Sequence, residues 1–227
     1  MVLLMNIDLA YLLKVFPQVL MYLPTTLFLA VVSMFFAMVL GLILALVRES
    51  KNRRGSKNRR TVYLVVPRHS VVGSTVYHLL WPAAAVPGLS NLDAMTAAII
   101  GFSLKTSAYM AEIFRAGLSS VDFGQTEAGL SIGMSKAQVY RRIVLPQAML
   151  NALPATGNTF ISLIKDTSVA FALGVSELFA EGKMIAAESL RFFETFLVVG
   201  LIYWLVIIVY SWLQKQLEKK LNHSLQR

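Results

Sequence analysis

Lys165 and Asp166 set two opposite charges side by side in an apolar stretch, and Thr167 and Ser168 follow directly. Ionised groups inside an apolar span are costly unless they pair or face a water-filled cavity, so these types suit the binding of a charged solute and structural pairing equally. Neighbours on a helix do not face each other, so the two charges need different partners. Asp166 with Thr167 and Ser168 suits the ammonium or the polar side chain of a zwitterion. The alternative is structural pairing between helices, Lys165 with Glu112 or Asp166 with Arg115. Glu112 and Arg115 share a helix face, which favours a structural role for both, with Glu112 kept as a pathway candidate. Tyr109 reads equally as a pathway residue or an interfacial aromatic. Glu177, Glu181 and Glu188 lie outside, where a partner protein would dock, and otherwise read as a solvated loop.

Catalytic patterns are absent from the sequence. It has no H-E-x-x-H, no G-x-S-x-G and no clustered metal ligands. No G-x-x-x-x-G-K-[ST] is present, so the chain does not hydrolyse ATP by itself. It has no cysteine and therefore no thiol chemistry. The expectation is a non-catalytic chain that holds no metal and no cofactor.

A second segment suits docking rather than binding. It reads EAGLSIGMSKAQVYRRIVLP, from Glu127 to Pro146. Ala128 and Gly129 are small, so a partner surface can approach the backbone. Gly133 can take a positive φ and let two short helices meet at an angle. Ser135 is placed to N-cap the second helix. Lys136, Arg141 and Arg142 make a basic surface, and Leu145-Pro146 is expected to end the helix.

These residues must be positioned by membrane spans. Of 227 residues 56% are hydrophobic and 15% charged, against about 25% charged in soluble domains. The net charge of +9 falls in clusters beside apolar stretches, around Arg48 to Arg60, Lys136 to Arg142 and Lys215 to Lys220. That is the positive-inside pattern, and without interleaved aromatics it excludes nucleic acid as the partner. Spans need about 20 apolar residues. They are read from Pro24 to Val47, Ala94 to Ile113, Leu153 to Leu178 and Phe192 to Leu213, with small residues Ala37, Gly41 and Ala45 on one packing face. Topology requires one more crossing, from Val62 to Val86. The expected fold is an all-α polytopic membrane protein with five transmembrane helices and a cytoplasmic helix pair, its N-terminus outside and its C-terminus inside. It forms one domain: an interfacial helix within residues 1–23, a core over 24–213 with the docking loop at 121–147, and a cytoplasmic tail over 214–227.

The Glu127–Pro146 spacing resembles the EAA loop of ABC-transporter permease subunits, with Gly129 where that family usually has a second alanine. The stretches SLKTSAYMAEIFRAGLSSVDFGQTEA and LPQAMLNALPATGNTFISLIKDTS narrow the resemblance to permeases of polar amino-acid uptake, the histidine/glutamine/arginine/cystine type. It covers about Leu23 to Leu217. The resemblance implies that Glu127, Ala128, Gly129, Gly133, Ile143, Leu145 and Pro146 couple to a partner ATPase dimer that binds the ATP. It implies a second permease copy or homologue, an extracytoplasmic solute-binding protein, and a place in the lipid bilayer of a prokaryotic cytoplasmic membrane. Polar amino-acid import by alternating access follows. An ion-gradient-driven secondary transporter and a non-transporting membrane scaffold are the competing readings.

One segment departs from the resemblance. Pro67, Arg68, His69 and His78 make a poor span. Shifting the reading frame one base forward from Pro67 permits Arg-Gly-Thr-Pro and an apolar, tyrosine-rich continuation of the family type, with every position to about Pro87 compatible with the genetic code. The segment from Pro67 to Val86 therefore reads as a compensated frameshift, and neither histidine is assigned a function. A verified DNA read encoding the residues as they stand would sink this reading.

Overall fold

The structure is a computed structural model that describes residues 8–52 and 92–225. The span read from Val62 to Val86, the frameshift reading, and His69 and His78 lie outside the described residues. Among the described residues the chain is helical without strands. The elements are α1 (Leu9–Leu20), α2 (Leu23–Asn52), α3 (Ala94–Ser119), α4 (Phe123–Ser131), α5 (Lys136–Val139), a π turn (Tyr140–Val144), α6 (Leu145–Asp166), a 3₁₀ turn (Thr167–Leu173), α7 (Leu178–Ser189) and α8 (Phe192–Leu225). Among the described residues, two helices are long and apolar enough to cross a membrane, over Leu23–Ala45 and Phe192–Leu221.

Helices α2 and α3 run parallel and in close contact. Ser103 Oγ donates to the Ser33 carbonyl at 3.3 Å. A Cβ on Gly41 would stand 2.6 Å from Met110 Cβ. Ala37 and Gly41 are buried and Ala45 is 8% exposed, so the small-residue face does what its spacing predicts. Helix α6 returns antiparallel to α3, with Gly117 against the Ala148 carbonyl. Helix α8 runs antiparallel to α6, where the Gln214 side chain fills the gap left by Gly157. The core joins Leu29, Phe102, Met110, Leu163 and Ile164 from α2, α3 and α6.

Several boundaries differ from the sequence reading. Leu145-Pro146 does not end a helix, because the π turn widens the backbone just before Pro146 and Leu145 N–H donates to the Tyr140 carbonyl. A wider turn relieves the clash between the proline ring and the preceding turn, so the helix continues to Asp166. The span read from Leu153 to Leu178 accordingly starts earlier and breaks after Asp166 into the 3₁₀ turn, which Gly174 closes at φ 86°. The tail at 214 is no separate element, since α8 runs on to Leu225. The N-terminal helix packs lengthwise on α8, burying Val15 and Val19 against Val198, Val199 and Ile202. Asp8 and Arg191 pin its start at 2.8 Å, and Tyr11 bonds Ser189 at 2.6 Å. That ion pair holds the Asp8 carboxyl below its ordinary range.

Candidate functional site: a charged cleft and a docking elbow

Two sites emerge. The first is a cleft of about 400 Å³ between α3 and α6, lined by Lys105, Thr106, Tyr109, Asn158, Thr159, Ser162, Leu163, Lys165 and Asp166. Lys105 Nζ donates to Asp166 Oδ2 at 2.7 Å, with the two side chains 8% and 26% exposed. Asp166 ends α6, where partial negative charge from the unpaired carbonyls disfavours a carboxylate and favours a cation such as Lys165. The Lys105 ammonium offsets that cost. Neither inter-helix pairing considered from the sequence forms with these partners. Glu112 accepts from Arg115 on its own helix at 2.8 Å, and Asp166 is held by Lys105 instead.

Sequence reasoning passed over Lys105, although it lies within the stretch that carried the resemblance. A lone lysine between Leu104 and Thr106 in an apolar span was the available signal, since such a group demands a partner.

The other residues read as pathway candidates divide. Tyr109 lines the cleft and is half exposed. Lys165 lines it from an exposed position. Thr167 is fully buried and donates to the Ile164 carbonyl at 2.7 Å. Ser168 donates to the Lys165 carbonyl at 2.8 Å. Both hydroxyls satisfy carbonyls left over where α6 tightens into the 3₁₀ turn, so they terminate the helix rather than line the cleft. Glu112 lies one turn beyond Tyr109, outside the lining.

Above the cleft stands a polar knot that the loop reading of Glu177 missed. Glu177 is wholly buried and N-caps α7, accepting from Ala180 N–H at 2.7 Å and Phe179 N–H at 3.0 Å. Thr26 of α2 and Tyr203 of α8 donate to it at 3.4 Å and 3.2 Å. Burial pushes its carboxyl above the ordinary glutamate range. These four bonds explain why the carboxylate leaves water: it joins three elements at once.

The second site is the elbow of α4 and α5. Gly133 takes φ 85° and lets the chain turn back. Ser135 caps α5 in a reciprocal box with Gln138, at 2.8 Å and 3.3 Å. Glu127 and Ala128 are exposed on α4. Gly129 corrects the sequence reading. It is the buried residue of α4 and faces inward, where a Cβ would stand 2.8 Å from Val139 Cγ2 and 3.1 Å from Ile143 Cδ1. Its smallness admits this chain's own second helix, and Ile143 is half buried there. Leu145 is 38% exposed, and Pro146 sits in the first turn of α6. Arg141 and Arg142 are exposed beside Ala137 and Gln138, lining an open basic hollow.

The geometry joins a charged cleft to an exposed elbow through one continuous helical rod, α5 to α6. Over 220 residues the chain is 49% identical to the "Probable amino-acid permease protein YxeN" of Bacillus subtilis, covering 96% of this chain and 97% of the relative. It is 40% identical to the "Probable amino-acid ABC transporter permease protein PatM" of Vibrio harveyi, covering 97% and 99%. A solved structure described as an "amino acid ABC transporter with histidines" superposes with a TM-score of 0.77 at 28% identity, over 95% of this chain and 100% of that one. Residues 4–223 match the family of the binding-protein-dependent transport system inner membrane component, and the chain belongs to that family.

Proposed function

We propose that this chain is the transmembrane subunit of an ATP-driven importer for a polar amino acid. The observation that carries the reading is the Lys105–Asp166 cleft, built into α6, which continues through the π turn into α5 of the exposed elbow. A partner ATPase dimer binds the ATP and grips the elbow at Glu127, Ala128 and the exposed basic face. Its closure tilts the α5–α6 rod and moves the cleft wall against α3. Alternating access then arises from coupled rigid-body motion. A second permease copy or homologue completes the pathway, and a solute-binding protein loads it at the end where Asp8, Arg191 and α7 lie.

The elbow is assigned to the cytoplasm, with its basic residues on the inner side of a prokaryotic membrane. The parallel setting of α2 and α3 supports five crossings, because parallel neighbours need an odd number of crossings between them. The chain itself is non-catalytic.

Uptake of a radiolabelled amino acid by cells carrying the whole transporter tests the reading. Loss of uptake on ATP depletion, with resistance to an uncoupler, is expected. Uptake that survives ATP depletion and collapses with the uncoupler would replace it with an ion-gradient mechanism.

A further inference from the structure

We infer that the cleft selects amino acids whose side chains carry no positive charge, with Lys165 anchoring the substrate α-carboxylate. The inference rests on the proposed transport role of the cleft and follows from its charge balance. Among the described residues, Lys105, Lys165 and Asp166 are the charged side chains that line it. Asp166 is already engaged by Lys105 at 2.7 Å. The next carboxylate along the α3 face, Glu112, holds Arg115. Lys165 is exposed, and no carboxylate among the described residues pairs with it. Among the described residues, the cleft therefore offers a substrate one uncompensated cation and no uncompensated anion.

The neutral groups act in the same direction. Thr159 Oγ1 donates its hydrogen to the Ala155 carbonyl at 2.9 Å, and Ser162 Oγ donates to the Asn158 carbonyl at 3.1 Å. Each hydroxyl has spent its proton on the helix and presents lone pairs to the cleft. They accept from ammonium, amide or hydroxyl hydrogens, while Asn158 both donates and accepts. A zwitterion fits this set. Its carboxylate meets Lys165, its ammonium meets the hydroxyl oxygens of Thr159 and Ser162, and an uncharged polar side chain uses what remains. An acidic side chain adds a negative charge to a cationic cleft. A guanidinium or a second ammonium adds a positive charge with no anion to receive it, and desolvating such a charge unpaired is costly.

The test uses the purified permease–ATPase complex in nanodiscs, without the binding protein, so that only the membrane cleft is read. Binding of each proteinogenic amino acid and of L-cystine is measured by calorimetry. The tightest binder is expected to be neutral or acidic, with arginine and lysine weaker by roughly tenfold or more. Lys165→Gln is expected to weaken that binder by a similar factor, and Lys165→Arg to keep it. Arginine or lysine binding as tightly as any neutral amino acid, or unchanged binding in Lys165→Gln, would overturn the selectivity and leave the importer reading standing. No binding by any amino acid would overturn both.

Discussion

Lys105 and Asp166 stand 61 residues apart in the chain and 2.7 Å apart in space, tying the middle of α3 to the last residue of α6. Replacing Asp166 by Asn leaves the Lys105 ammonium, 8% exposed, without its carboxylate. Breaking a buried pair by removing one partner costs about 3–5 kcal/mol, and partial exposure of Asp166 lowers that figure. Asp166→Asn is therefore expected to lower both thermal stability and uptake per molecule. The exchange Lys105→Asp with Asp166→Lys restores the pair and should recover stability without recovering uptake. Full uptake in the exchanged protein would show that the pair is structural alone.

Gly129 lies under Val139 with no room for a methyl group, since an added Cβ would stand 2.8 Å from Val139 Cγ2. Gly129→Ala overpacks the elbow at a cost of about 1–3 kcal/mol. We expect reduced coupled uptake, restored when Val139 is shortened to Ala in the same chain. A single Gly129→Ala variant with unchanged uptake and melting temperature would refute the tight fit.

Glu127 is exposed on α4, and its backbone carbonyl accepts from Ser131. Charge reversal by Glu127→Lys is expected to leave the isolated permease folded and to abolish ATP-coupled uptake. Co-purification of the ATPase with the variant measures the loss directly. Normal retention of the ATPase together with normal uptake would remove Glu127 from the docking role.

Glu177 sets a pH dependence of stability. Burial raises its carboxyl above the ordinary value of 4.5, so between that pH and its folded-state pKa the folded chain holds a proton that the unfolded chain has released. Stability from this group is then complete below about pH 4.5 and falls as pH rises through the folded value. Glu177→Gln keeps a side chain that caps α7 and accepts from Thr26 and Tyr203, but does not titrate. Melting temperatures measured from pH 4 upward should decline in the natural protein and stay flatter in the variant. Parallel curves would show that Glu177 does not titrate in this range.

Much of this molecule is legible in local patterns. Apolar runs with flanking charge mark α2, α3 and α8. The small residues Ala37, Gly41 and Ala45 mark a packing face because helix periodicity alone brings them together. Gly133 and Ser135 mark the elbow because a positive φ and an N-cap are properties of one residue and its nearest neighbours. The charges of Lys165 and Asp166 announce partners by their cost in an apolar span. Which partner each takes depends on how α3 and α6 are placed side by side, and no spacing in the chain encodes that. Only the tertiary structure brings Lys105 to Asp166, turns Gly129 inward onto Val139, and carries Glu177 out of a loop into a knot shared with Thr26 and Tyr203. It also carries the helix through Pro146, because a π turn supplied by the preceding residues removes the clash that the proline alone predicts.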